Sequence, residues 1–161
     1  MMMERVARIA VRPATLDDAE FVVRGNAEMA LETENLTLDM ERLRAGVRAI
    51  FGTPSRGFYL IAELEGTRAG QMMITYEWSD WRNGVFWWIQ SVYTAPEMRR
   101  RGVFRALYAH AESLAHRDGS VCGLRLYVES NNQAAQETYR RCGMRETVYR
   151  MFEVDSILTR H

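Results

Sequence analysis

The spacing of apolar residues changes several times along the chain, and each change marks an element. Ala7 to Arg12 alternates apolar and polar positions, which predicts a first strand stopped by Pro13. Thr15, with Asp18 three residues later, marks the start of a helix running to about Glu32. Leu43, Val47 and Ile50 share a face of a second helix, Leu38 to Phe51, which Gly52, Thr53 and Pro54 end. From Phe58 the period falls to two. Phe58 to Leu64 and Ala69 to Trp78 read as strands joined by a short link that contains Gly66. Ser79 to Gly84 is a polar turn, and Val85 to Thr94 is a third strand of the same meander.

Val103 to His116 then carries one apolar stripe of Val103, Phe104, Leu107, Tyr108, Ala111, Leu114 and Ala115, the clearest helix in the chain. Gly123 to Glu129 alternates again, with Leu124, Leu126 and Val128 opposite Arg125, Tyr127 and Glu129. Asn132 to Arg141 is a helix ended by Gly143, and Thr147 to Val154 reads as a last strand. The order β-α-α-β-β-β-α-β-α-β predicts an α/β (α+β) fold: a mixed, largely antiparallel central sheet flanked by helices. No repeat or linker divides the sequence, so residues 1–161 are expected to form a single domain.

Composition removes several classes of function. Lys plus Arg and Asp plus Glu are equal at 21 each, so the charge balance points to neither nucleic acid nor an anionic membrane. No apolar run approaches the roughly 18 residues of a membrane span, and the first residues do not read as a signal peptide. Cys122 and Cys142 are too few for a disulfide scaffold, and no Cys/His spacing suggests a metal. A cytoplasmic location is the simplest expectation, with both cysteines as small core residues.

Chemistry concentrates where the third meander strand meets the strongest helix. Pro96 blocks the strand, and Arg99, Arg100, Arg101 and Gly102 then open directly into the helix at Val103. A helix N-terminus presents unpaired N–H groups and partial positive charge, Gly102 permits close backbone approach, and the arginines add charge at the same end. A pyrophosphate suits such a place. A second cluster follows the next strand: Asn131 and Asn132 precede a helix that carries Ala135 and Tyr139 on one face, with Gly143 and Met144 at its end.

Together these segments resemble the acetyl-CoA-binding core of the GNAT N-acetyltransferase superfamily. Its phosphate loop reads Gln or Arg, two residues, Gly, one residue, then Gly or Ala. Arg99 and Gly102 match, while Phe104 departs from the small residue and must turn its ring away from the phosphates. Its second signature places Asn, Ala, Tyr, Gly and a hydrophobic residue where Asn132, Ala135, Tyr139, Gly143 and Met144 stand. The resemblance implies acetyl-CoA as co-substrate. Backbone groups of Val92 and Thr94 would bond the pantetheine arm, with Asn131, Asn132 and Ala135 on its other side. The loop Arg99, Arg100, Arg101, Gly102, Val103, Phe104 and Arg105 would hold the pyrophosphate. It also implies Tyr139 as the general acid that protonates the departing thiolate.

The general base is left among Glu28, Glu32, Glu34, Glu77 and Asp80, with Glu32 and Glu77 carried forward as catalytic candidates. His110 and His116, on the helix after the loop, read as packing or surface residues. All four tryptophans fall between positions 78 and 88. Trp78 and Trp81, with Asp80, Glu28 and Glu32, are the candidate acceptor residues, because aromatic faces and carboxylates suit a cationic amine. Trp87 and Trp88 point to opposite faces of one strand and read as packing. The expected substrate is a small cationic primary amine. The alternatives are a protein or peptide amine, and a non-catalytic acyl-CoA-binding sensor. A homodimer is the base-rate assembly.

Overall fold

The computed structural model describes residues 8–155, which fall in two compact units, residues 8–127 and 128–155. In the first unit the order is β1 (Ile9–Pro13), α1 (Ala19–Glu34), α2 (Met40–Gly52), β2 (Phe58–Leu64), β3 (Thr67–Ser79), β4 (Gly84–Thr94), α3 (Val103–Arg117) and β5 (Val121–Arg125). Ala7, the expected start of the first strand, lies outside the described residues. The five strands lie side by side in chain order. The first four are antiparallel, and β5 joins β4 in parallel after the α3 crossover.

Thr15 and Asp18 form the reciprocal bonds of a capping box, but around a single 3₁₀ turn, Leu16–Asp18; α1 begins just after it. Asp18 is fully buried and takes Arg12 at 2.7 Å and Arg68 at 2.7 Å. Two hydrogen-bonding guanidinium groups and the Thr15 amide outweigh the cost of burial and hold its carboxyl below the usual carboxylate range. α2 is capped by Asp39, whose side chain accepts from the amides of Glu41 and Arg42.

The sheet is covered on both faces. Ala19, Val22 and Val23 of α1 and Val47 of α2 pack with Tyr59 and Ile61 of β2. Leu60, Met72 and Ile74 are fully buried, as is Leu107 of α3. Strand alternation places Leu60, Met72 and Ile74 opposite Ile61 and Met73.

The second unit holds α4 (Gln133–Arg141), capped by Asn132, whose side chain accepts from the Ala135 amide at 3.1 Å. Gly143 at φ 85° ends it, with Met144 N–H bonding back to Tyr139 O at 3.1 Å. The sixth strand expected over Thr147 to Val154 is absent: residues 144–155 have no helix or strand. Alternation is a requirement of a strand but not a cause of one; a strand also needs a ladder. Val148 and Phe152 stand 93% and 94% exposed. The strand expected from Gly123 to Glu129 is likewise shifted and shortened to Val121–Arg125, because its pairing with β4 ends at Arg125.

Candidate active site

The third and fourth strands do not run in simple register. Gln71 faces Tyr93 and Met73 faces Gln90, so three steps along β4 match two along β3. The extra residue is taken up at Ser91, whose φ is 47°. The bulge changes the parity of β4. Gln90 bonds Thr75 on the α1 side, and Tyr93, an odd number of residues later, also faces α1. There its hydroxyl donates to Glu28 of α1. Burial and this carboxylate neighbour push the Tyr93 phenol well above its ordinary pKa.

Pairing between β4 and β5 stops at Trp88 opposite Arg125. Beyond it, among the described residues, Ile89 to Thr94 run on with no strand on that side. This bare backbone edge leads straight into the basic loop. Gly102 adopts φ 83° as the N-cap of α3, and the first bond of the helix runs from Ala106 N–H to Gly102 O at 3.0 Å. The amides of Val103 and Arg105 therefore precede the hydrogen-bonded ladder and point out of the helix end. A Cβ on Gly102 would meet only Ile9 at 3.9 Å, so glycine is required here by the backbone angle and not by crowding. Phe104 packs along the helix on Tyr108, with ring centroids 6.2 Å apart.

Arg99 is spent differently from its neighbours. Both terminal nitrogens bond Glu32 of α1 at 2.6 Å, and its Nε donates to Thr94 O at 3.2 Å. The paired guanidinium lowers the Glu32 pKa, and the carboxylate raises that of Arg99. Arg100, Arg101 and Arg105 are exposed. The loop thus offers helix-end amides, an open strand edge and three exposed guanidinium groups, which suits a long ligand with an amide-bearing arm and a pyrophosphate.

Residues 26–144 match the family model described as the acetyltransferase (GNAT) family. The chain belongs to the GNAT acetyltransferase family.

A possible acetyltransferase from Clostridium difficile 630 superposes on this acetyltransferase with a TM-score of 0.86 at 41% identity, covering 93% of this chain and 99% of that one. An aminoglycoside N-acetyltransferase in complex with CoA shares the fold at a TM-score of 0.75 and 16% identity, over 96% of this chain and 99% of its own. A predicted acetyltransferase with acetyl-CoA from Clostridium acetobutylicum does so at 0.72 and 16%, over 96% and 100%. No curated protein matches the chain.

The remaining candidate residues of the acetyltransferase are scattered. Glu77 lies on the α1 face of β3, where one oxygen takes Arg125 at 2.6 Å and the other the Trp88 indole at 2.9 Å. Trp78 follows it on the opposite face, 60% exposed. Trp81 is 87% exposed at the turn, where its amide bonds the Asp80 side chain. The structure therefore does not gather Trp78, Trp81, Asp80 and Glu77 into one pocket. Trp87 is buried against Phe58 and Tyr76, on the face opposite Trp88. Cys122 and Cys142 are half-buried, short of the core burial expected of them. Of the helix residues, His110 is half-buried, and burial lowers its pKa.

Within the second unit, Asn132, Ala135 and Tyr139 follow one another along α4. Asn131 and Asn132 are exposed, and the Asn132 side chain is engaged in capping. Tyr139 is half-buried, and burial raises its pKa. Among the described residues no helix is long and apolar enough to cross a membrane, and no cluster of three or more metal-ligating side chains occurs.

Two participants escaped the sequence reading. Tyr93 gave no signal because its facing depends on the bulge, and Ser91 is not a residue type that announces positive φ. Sequence alternation says of Arg125 only that it lies opposite Leu124 and Leu126 on a strand, but it stacks on Phe86, 3.5 Å from the ring centroid, while it pairs with Glu77.

Proposed function

We propose that this acetyltransferase takes its acyl group from acetyl-CoA and passes it to the primary amine of a small cationic molecule. The observation that carries the reading is the junction itself: a β4 edge from Ile89 to Thr94, with no strand on it among the described residues, runs into a helix N-terminus opened by Gly102. The edge, chiefly at Val92, suits the amide-bearing arm; the Thr94 carbonyl already accepts from Arg99. The amides of Val103 and Arg105, with the Arg100, Arg101 and Arg105 side chains, suit the pyrophosphate. The CoA-bound aminoglycoside N-acetyltransferase of the same fold supports both the donor and a small amine acceptor.

Before attack, an ammonium must lose a proton. Glu32 and Glu77 are each held by an arginine. Among the described residues Glu28 receives the Tyr93 hydroxyl, on one oxygen, and no arginine fork. We assign it to hold the cationic acceptor and take that proton. The freed amine nitrogen then bonds to the thioester carbonyl carbon, the carbon–sulfur bond breaks, the thiolate takes a proton from the Tyr139 hydroxyl, and the second proton that the nitrogen sheds goes to solvent, from which the phenolate regains its own.

Calorimetric titration with acetyl-CoA and with CoA, on the wild type and Gly102→Asp, tests the donor site. Micromolar binding that the substitution abolishes is expected; no binding by the wild type overturns the reading. Release of thiol with a polyamine and an aminoglycoside, but not with a lysine peptide, is the expected acceptor pattern. The reverse pattern would move the reading to protein amines.

A further inference from the structure

The two halves of α1 are held by different means. Ala19, Val22, Val23, Gly25 and Asn26 are buried, and no residue of the helix after Asn26 is; Leu31 to Glu34 are all exposed. Full burial therefore stops halfway along the helix, and Ala27, Met29 and Ala30 beyond it are half-buried. The second half is tied down by two polar contacts one helical turn apart, Glu28 with Tyr93 and Glu32 with Arg99. Both partners belong to a single stretch of chain, the end of β4 and the start of the basic loop. Arg99 also bonds the Thr94 carbonyl, so its guanidinium joins the strand end, the loop and the helix. A planar fork held on both nitrogens transmits orientation as well as attraction, which a lysine in its place would not do.

We propose that Glu32 and Arg99 are positioning residues through which a ligand on the loop sets the end of α1, and with it Glu28. The proposal rests on the reading above, in which the loop takes the CoA pyrophosphate and α1 borders the amine. A ligand that fixes the loop fixes the Arg99 fork. The fork then holds Glu32, and α1 carries Glu28, four residues earlier on the same face, into place. The acceptor side is thus completed over a filled donor site. By linkage, whatever steadies the end of α1 also strengthens retention of the donor.

The test needs no knowledge of the amine. Amide hydrogen exchange is followed across residues 29–36 with and without saturating CoA, in the wild type, in Glu32→Gln, and in Glu34→Gln as a control on the same turn. In the wild type and the control, CoA slows exchange in this segment by roughly threefold to fivefold, the range one partly exposed ion pair supports. In Glu32→Gln the slowing disappears while calorimetry still shows CoA bound, and Glu32→Asp restores part of it. Equal slowing in Glu32→Gln and wild type, or none in a wild type that binds CoA, overturns the proposal. A wild type that binds no CoA overturns the donor reading itself, and the proposal with it.

Discussion

Arg125 reaches from β5 across the whole width of β4 to place its Nη1 2.6 Å from Glu77 Oε1 on β3. With the Trp88 indole on its other oxygen, the Glu77 carboxylate is a tie between three strands, with both oxygens engaged. Glu77→Gln is therefore expected to leave turnover within about threefold of wild type, because an amide can still accept from Trp88. Loss of a working general base would cost on the order of a hundredfold or more. Thiol-release kinetics on the purified variant decide between the two. Glu77→Ala should lower stability by about 1 kcal/mol through the unpaired Arg125 and Trp88 donors.

Asp18 should control acid stability. Its side chain is fully buried between Arg12 and Arg68, and its folded pKa lies below the ordinary value of 3.8. A depressed carboxyl contributes stability that is present above its unfolded pKa and declines as the pH falls below it. Denaturant unfolding of the wild type should thus lose part of its stability below about pH 4. Asp18→Asn should start about 3 kcal/mol lower at pH 7 and lack this component of the acid decline. An Asn variant as stable as wild type at pH 7 would refute the role.

Gly25 is required by close approach. A Cβ there would lie 2.7 Å from both the Gln71 side chain and the Tyr93 ring. Gln71 is fully buried and bonds Val22 O and the Asn26 side chain, so it has little room to give. Gly25→Ala is expected to cost about 1–3 kcal/mol by overpacking and to lift α1 off Tyr93. Thermal melting reads the first effect; a rise in acceptor KM larger than any change in CoA affinity reads the second.

Tyr139→Phe should lower kcat by roughly tenfold to a hundredfold with little change in CoA affinity, as expected for a general acid. Because burial raises its pKa above 10, the phenol keeps its proton throughout the neutral range. The wild-type kcat profile should therefore show no alkaline decline from this group below about pH 10. Unchanged turnover in the Phe variant, measured where chemistry limits the rate, would remove Tyr139 from the mechanism.

Most elements were readable because their causes are local. Phe58–Leu64 alternates, Val103–Arg117 keeps one apolar stripe, Asp39 and Asn132 cap, and Gly143 stops a helix within the reach of a few residues. The loop motif was readable for the same reason: Gly102 at positive φ and the arginines around it are neighbours in the chain. Thr147 to Val154 shows where local pattern runs out, since the alternation of a strand is present and the ladder is not.

The sequence by itself determined the family, the element order as far as α4 and the position of the Gly102 loop at the start of α3, because backbone preference and hydrophobic period act over one or two turns. Only the tertiary structure decided which carboxylates are available. Glu28, Glu32 and Glu77 are alike as letters, yet one receives a tyrosine hydroxyl and two are held by arginines 67 and 48 residues away. The tyrosine among those partners is selected by strand register, and that register turns on one extra residue at Ser91. A one-residue shift reverses every later side chain, and nothing in the identity of a residue records the parity of the strand that carries it.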